Sequence, residues 1–335
     1  MFTALVITRL IIFAFYGAGI HNEKVYGRHL KERKPVDFLG KKKIFFVISI
    51  ILCLAGPVMM GVNHARGIGA MNYSLDFVGG TSTNVTFDKE YTLEEIDSQM
   101  IPSLEEITGD KNIQVQTVKD SNQVVFKTQT LDLEKREALA SYLNENYGVE
   151  ASDIATENIS STVSSEMRRD AIVAVLIATI CMLLYIWFRF KDVRFASSAV
   201  LALLHDVMVV LAFYALSRIS VGNTFIACML TIVGYSINAT IVIFDRIREN
   251  LKTAGKKADL KELVNLSITQ TLTRSIYTSF TTFITIFVVF VMGVSSIREF
   301  ALPIMVGIVC GAYSSVCITG ALWYVMKTKL GKSTK

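Results

Sequence analysis

Apolar residues along the chain gather into long, nearly uninterrupted runs, covering 44–62, 171–188, 195–216, 221–244, 275–294 and 300–326. Each holds about 20 residues, the length at which a helix crosses the hydrocarbon of a bilayer. A helix also satisfies its backbone groups internally, which lipid requires. The pattern therefore predicts six spanning helices. A seventh apolar run, 2–20, is divided by Arg9. A basic residue inside the run does not fit a cleaved leader. The expectation is the last turns of a spanning helix, with Arg9 at the cytoplasmic interface and residues 10–19 lying along the surface.

One long interval, 63–168, is polar, and its periodicity differs. Residues 73–77, 82–87, 112–118 and 123–128 alternate as strands do, while 92–104 and 133–146 have helical spacing. Thr92 and Glu95 form a capping-box pair, and 153–163 is placed to close a sheet. The order strand, helix, strand, strand, helix, strand is the split βαββαβ pattern of ferredoxin-like domains. Gly79-Gly80-Thr81 falls between two of the strands. Without a following Gly-Lys-Ser/Thr it is not a phosphate loop. A glycine hinge or bulge is the plainer reading and a ligand role the sharper one.

Composition agrees with a membrane protein. Of 335 residues, 52% are hydrophobic and 19% charged, with a mean hydropathy of +0.45. Soluble chains carry about 25% charged residues, so a soluble or disordered protein is excluded. The net charge of +5 combines two opposite populations. Residues 66–166 hold 7 basic and 18 acidic side chains, a net of −11, and the remainder carries +16. Most of these basic residues cluster in 21–43, 189–194, 245–262 and 327–335, and the loops at 217–222 and 295–299 carry one each. Short Lys/Arg-rich loops stay in the cytoplasm, so the acidic domain lies outside and the six spans alternate without conflict. Basic patches placed this way signal topology and a lipid surface, and nucleic acid is not an expected partner. The five cysteines all lie within spans, so none can staple the outer domain.

The expected organisation is residues 1–20 as the tail of a preceding helix, 21–43 as a basic cytoplasmic linker and 44–62 as the first span. The extracytoplasmic α+β domain follows at 63–168, then a five-helix membrane bundle at 169–328 and a basic cytoplasmic tail at 329–335. The fold class is an α-helical polytopic membrane protein carrying a small βαββαβ domain.

Ionisable side chains inside a bilayer are expensive and mark functional positions. His205 and Asp206 fall near the middle of their run, too far from either end for a carboxylate to snorkel. Asp206 is therefore protonated, paired or facing water. Asn238 lies inside the next run, with Asp245 and Arg246 at its cytoplasmic end. In the following run Ser267, Thr271, Arg274, Thr278, Thr281, Thr282 and Thr285 recur at helical spacing as one polar stripe. Facing Thr231, Gly234, Asn238 and Asp245, that stripe with a buried Arg274 predicts a hydrated seam. The alternative is that the hydroxyls serve close helix packing. Asp245 and Arg246 also read as a membrane anchor, and Gly307 and Gly311 as packing positions. The four histidines, at 21, 29, 64 and 205, are too scattered to suggest a metal site.

Three stretches resemble the SecF part of the SecDF protein-export machinery, a branch of the resistance-nodulation-division superfamily. They are Asp76-Phe77-Val78-Gly79-Gly80-Thr81, the His205-Asp206 pair, and Gly234-Tyr235-Ser236-Ile237-Asn238 followed by Asp245-Arg246-Ile247-Arg248-Glu249-Asn250. Gln270-Thr271-Leu272-Thr273-Arg274 matches the segment that follows, and residues 1–10 resemble the end of the last SecD helix. The resemblance implies a bacterial cytoplasmic-membrane accessory without cofactor. It would work with a SecD half, fused or separate, with the SecYEG translocon and with the SecA motor, and would use the proton gradient to help draw unfolded polypeptides outward. Many relatives carry Asp after Gly-Tyr-Ser-x-Asn, whereas this chain has Ala239, so the carboxylate that would pair with Arg274 is absent. Three alternatives stand beside this reading: a non-pumping subunit that stabilises the translocon, a small-molecule or lipid exporter of the same superfamily, and an intramembrane enzyme. The last is weakest, because His205 and Asp206 lack a nucleophile or metal partner at suitable spacing.

Overall fold

The structure is a computed structural model and describes residues 2–21, 34–110, 113–117, 121–190, 192–254, 258–293 and 295–329. The linker between 22 and 33 and the tail from 330 onward lie outside the described residues. An isolated apolar helix, α1 (Phe2–Gly17), precedes the first span, α2 (Lys42–Ala65). The outer domain then runs through α3 (Leu75–Val78), β1 (Gly80–Thr86), α4 (Leu93–Gln99), α5 (Ile101–Thr108), β2 (Gln114–Thr117), β3 (Gln123–Thr128), α6 (Leu133–Tyr147) and β4 (Ile154–Ile159). Four more spans follow: α7 (Ser161–Phe190), α8 (Val193–Ser217), α9 (Asn223–Thr253) and α10 (Leu260–Met292). The sixth is composite. It begins as α11 (Ser295–Tyr313), passes through a π-helical turn (Ser314–Thr319) and ends as α12 (Gly320–Lys329).

The six predicted spans are present, each long and apolar enough to cross a membrane. The outer sheet has the order β2-β3-β1-β4, with every neighbouring pair antiparallel. That is the split βαββαβ topology. Helices α4 to α6 cover one face around a core of Val85, Ile96, Met100, Leu104, Phe126 and Leu143, all essentially inaccessible to solvent. Thr92 and Glu95 close a reciprocal capping box at the start of α4.

Helix α1 runs through Arg9 to Gly17. Two local expectations are corrected. Residues 73–77 do not form a strand. The Ser74 hydroxyl accepts from the Asp76 amide at 3.1 Å and starts the short turn α3 instead. The single helix predicted over 92–104 is two, because Pro102 has no N–H to donate and opens a new helix after Met100. Helix α7 begins at Ser161, so its first turns precede the apolar run that starts at residue 171.

Hydrogen bonds tie the outer domain to the spans. Val221 and the segment after α2 pair as a short parallel bridge, with Val221 N–H donating to Asn72 O at 2.8 Å and Ser74 N–H to Val221 O at 3.0 Å. Arg218, in the left-handed region at φ 57°, donates to the carbonyls of Gly69 and Ile68 at 2.8 and 2.6 Å. At the opposite end of the bundle, Asp37 accepts from Gly40 N–H, Asn265 Nδ2 and Lys261 Nζ at 2.9, 2.8 and 3.2 Å. Those donors, the Gly40 amide foremost, hold its carboxyl below the usual carboxylate range. The acidic domain and the basic loops thus sit at opposite ends of the helices, as the charge partition requires.

Gly79 and Gly80 have φ of +79° and +141°, and a Cβ on Gly80 would lie 2.3 Å from the Thr128 carbonyl oxygen in the neighbouring strand. Strain of this kind costs about 1–3 kcal/mol before the clash is counted. Gly80→Ala is therefore expected to detach β1 from β3, seen as faster proteolysis of the outer domain in membrane vesicles. A protease-resistance profile equal to that of the parent protein would show that this backbone does not need glycine.

Candidate functional site: a carboxylate enclosed by three spans

Asp206 lies at mid-span on α8 with zero exposure, and the protein supplies its solvation. Its Oδ2 accepts from Ser236 Oγ on α9 at 2.5 Å and from Ser314 Oγ at the start of the π-turn at 2.7 Å. Its Oδ1 faces His205 Nδ1 at 2.9 Å and Cys310 Sγ on α11 at 3.2 Å. Among the described residues no Lys or Arg forms an ion pair with it. Small side chains make the cluster possible. Gly311 lies 3.5 Å, from its virtual Cβ, off the Ser236 Cα, and a Cβ on Gly307 would strike Ile232 at 2.5 Å. The two glycines let α11 approach α9 closely, the packing role expected of them.

The π-turn contributes directly. A π-turn carries one more residue per hydrogen-bonded loop than an α-turn and recurs at functional positions. Here Thr319 Oγ1 donates to the Ser314 carbonyl at 3.0 Å, and the turn presents Ser314 to Asp206.

His205, Asp206 and Cys310 place potential metal-binding atoms within 4.8 Å of one another. A tetrahedral zinc site with bonds of about 2.0–2.1 Å to nitrogen and oxygen would separate those two atoms by about 3.3 Å. The observed 2.9 Å between His205 and Asp206 is a hydrogen-bond length. The cluster is accordingly read as a hydrogen-bonded knot. His205 Nε2, on the far side of the ring, is buried without a hydrogen-bond partner among the described residues.

The predicted seam is only partly formed. Asn238 and Arg274 share a small cleft of about 50 Å³ with Tyr235, Ala239, Val242, Ser275, Thr278 and Ser279. Arg274 and Asn238 are exposed at the bundle perimeter, however, where a buried Arg274 was expected. The stripe is buried at Ser267 and Thr271, then turns outward. The hydroxyls of Thr278, Thr281, Thr282 and Thr285 each donate to a carbonyl four residues back on their own helix. The cytoplasmic half bridges α9 and α10, through Asn250 to Ser267 at 2.8 Å and Arg246 to Gln270 at 2.6 Å. Asp245 pairs with Arg189 at 3.1 Å and Arg246 with Glu249 at 2.7 Å, both as exposed pairs at the cytoplasmic helix ends.

The outer motif orients the domain. Asp76 Oδ2 accepts from the Asn223 amide at the N-terminus of α9, at 3.3 Å. Thr81, fully buried, donates to Asn158 Oδ1 at 2.5 Å and accepts from Leu131 N–H at 2.8 Å. At the sheet edge Gln116 Nε2 donates to Glu299 Oε1, near the start of α11, at 3.0 Å. Burial lowers the Lys127 ammonium from the usual lysine range, and Glu299 and Asp76 act against that shift. Ser236, Cys310 and Ser314 were not singled out from the sequence as partners of Asp206. The one available signal was that they are small polar residues inside apolar runs.

A helical bundle with an extracytoplasmic ferredoxin-like domain and an ionisable group enclosed at mid-span defines a polytopic membrane protein of the transporter class. Comparison with known proteins narrows it. The family described as protein export membrane protein SecD/SecF, C-terminal, matches residues 139–329. The SecF translocase subunit of Calditerrivibrio nitroreducens is 36% identical over 309 residues, covering 89% of this chain and 96% of that protein. The SecDF subunit of Bacillus subtilis is 36% identical over 294 residues, and the match covers 87% of this chain but 38% of the relative. The crystal structure of SecDF from Thermus thermophilus superposes with a TM-score of 0.81 at 33% identity, over 98% of this chain and 43% of that one. The chain belongs to the SecD/SecF family of protein-export membrane proteins, and it is a multi-pass protein of the bacterial cytoplasmic membrane.

Replacing Asp206 by Leu would take the carboxylate acceptor from Ser236 and Cys310 and leave Ser314 only the Gly311 carbonyl at 3.3 Å, in an apolar interior where an unmade hydrogen bond costs about 1–3 kcal/mol. Asp206→Leu is expected to unfold in detergent at a clearly lower temperature than Asp206→Asn, which keeps an acceptor. Equal melting temperatures would show that the enclosed oxygens do not hold the three spans together.

Proposed function

We propose that the chain is the SecF-type half of a protein-export accessory, a transport subunit and not an enzyme. It acts with a SecD-type partner beside the SecYEG translocon and the SecA motor to help unfolded polypeptides cross the membrane. Its work is coupled to the proton gradient through Asp206. One observation carries the coupling: Asp206 is a fully enclosed carboxylate at mid-span whose one ionisable partner at hydrogen-bond distance is His205, with no Lys or Arg paired to it among the described residues. An isolated charge in such surroundings is costly, and taking up a proton is the ordinary way to neutralise it. Ala239 leaves no carboxylate beside Arg274, so within this chain Asp206 is the titratable acid at that depth of the bundle.

The partner reading follows from the perimeter. Arg274 and the row Thr278, Thr281 and Thr285 are exposed on α10. A cation facing hydrocarbon costs several kcal/mol, so this face suits a partner's membrane segment that supplies acceptors, and the SecD-type half is the natural candidate. Ala239 also favours a second reading, a non-pumping subunit that stabilises the translocon.

Export of a preprotein into vesicles holding the chain and its SecD partner, measured with and without a proton gradient, separates the two. Asp206→Asn is expected to abolish the gradient-stimulated part of export, and Arg274→Met to reduce it by weakening the partner contact. Full gradient-stimulated export in both variants would overturn the coupling and leave the stabilising role.

A further inference from the structure

Ile186, Ala199 and Leu203 are buried along the seam between α7 and α8. Beside that seam lies a groove of about 600 Å³, with Leu183 and Trp187 of α7 and Ala196, Ser197, Val200 and Leu201 of α8 in its walls. Ligand sites commonly enclose about 300–1,000 Å³. α7 starts at the outer domain and ends at the basic loop 189–194, so the groove lies in the cytoplasmic half of the membrane. Trp187 is 55% exposed there, the setting of an aromatic-belt residue at a lipid interface. The α8 wall is graded in polarity. Arg194 stands at the cytoplasmic end of the helix, Ser197 lies about 4.5 Å deeper, and Leu201 about 10 Å deeper than Arg194. The three share one side of the helix. Among the described residues Arg194 forms no ion pair and the Ser197 hydroxyl no hydrogen bond. The charged groups around them are engaged elsewhere. Arg189 pairs with Asp245, Arg248 donates to the Arg189 carbonyl, and Asp192 caps α8 by accepting from the Arg194 amide at 2.9 Å.

We infer that this groove is a binding site for one anionic glycerophospholipid of the cytoplasmic leaflet. The phosphate lies on Arg194, an ester carbonyl accepts from the Ser197 hydroxyl, and an acyl chain runs along Val200, Leu201, Leu183 and Trp187. The order of the wall selects this occupant. A glycerophospholipid carries a negative charge, then ester acceptors, then hydrocarbon, and Arg194, Ser197 and Leu201 present a cation, a hydroxyl and an apolar surface in the same sequence from the cytoplasm inward. The charge balance selects the headgroup. The loop 189–194 holds three basic residues against Asp192 alone, and basic groups at this level attract anionic lipid. A zwitterionic lipid would add an ammonium, and the loop's one carboxylate is already engaged as the helix cap.

The chain carries its own reporter. It has two tryptophans, and Trp323 is fully buried while Trp187 lines the groove. The full chain with its SecD-type partner is placed in nanodiscs of phosphatidylglycerol and phosphatidylethanolamine, with mid-chain bromine on one lipid at a time. Bromine quenches tryptophan on contact, and subtracting the signal of Trp187→Phe isolates Trp187. In the parent protein, half-maximal quenching is expected at about fivefold lower mole fraction of brominated phosphatidylglycerol than of brominated phosphatidylethanolamine, the preference that one Arg supplies at an anionic lipid. Arg194→Gln is expected to bring the two lipids together, and Arg194→Lys to keep them apart. Ser197→Ala is expected to raise the half-point for both lipids about fivefold, because both carry the ester. A melting temperature equal to that of the parent shows that a variant is folded. Equal half-points in the parent would overturn the proposal, as would parent behaviour in folded Arg194→Gln or Ser197→Ala. Trp187 untouched by either lipid would show that protein covers the groove, and would overturn it too.

Discussion

A carboxylate at the centre of a membrane span has to be solvated by protein. Asp206 is solvated by four groups from three spans: His205 beside it, Ser236 on α9, and Cys310 and Ser314 on the composite sixth span. Much of the bundle follows from that requirement. α11 must come close to α9, which the glycines at 307 and 311 allow. The sixth span must turn a serine inward at one depth, which the π-turn accomplishes. Apolar packing surrounds the cluster, with Ile232 and Val210 on one side and Phe195, Phe244 and Trp323 toward the cytoplasm. It excludes water, so each of these hydrogen bonds matters more than it would at a surface.

The outer domain is held by a different kind of contact. Its main core is apolar and its own, and its attachment to the spans combines polar contacts (backbone pairing at Val221, the Arg218 guanidinium on two carbonyls, Asp76 on a helix N-terminus and Gln116 on Glu299) with an apolar anchor, Met71 and Phe77 buried against Val210, Tyr214 and Met229. The apolar anchor fixes the root of the domain on the bundle.

The spans and their orientation were legible because they depend on length, hydropathy and the sidedness of charge, all local properties of the chain. The topology of the outer sheet was legible for the same reason, since β3 and the two helix-bearing segments announce themselves by period. What could not be read was the third dimension of the bundle. Arg274 stands in a polar row with Ser267 and Thr271, and a helical wheel places them on one face. A long helix crossing its neighbours at an angle buries one end of a face and exposes the other, so the row divides between interior and perimeter. Likewise Ser314 lies 108 residues from Asp206, and no local pattern joins them. The turn at 73–77 was misread because one serine side chain outweighs a short alternation.

The π-turn has a consequence for the geometry of the last span. Ser314 meets Asp206, and nine positions later Trp323 stacks on Phe195 at a ring separation of 4.8 Å. Both partners belong to α8. In an uninterrupted α-helix at about 100° per residue, nine steps turn a side chain through about 180° net, onto the opposite side. The extra residue taken up by the π-turn removes about one step of rotation and returns Trp323 to within about 80° of Ser314. The sixth span therefore carries two helical phases, one on each side of residues 314–319. A single-residue insertion or deletion there would leave its length almost unaltered and yet separate the polar half of its contact with α8 from the aromatic half.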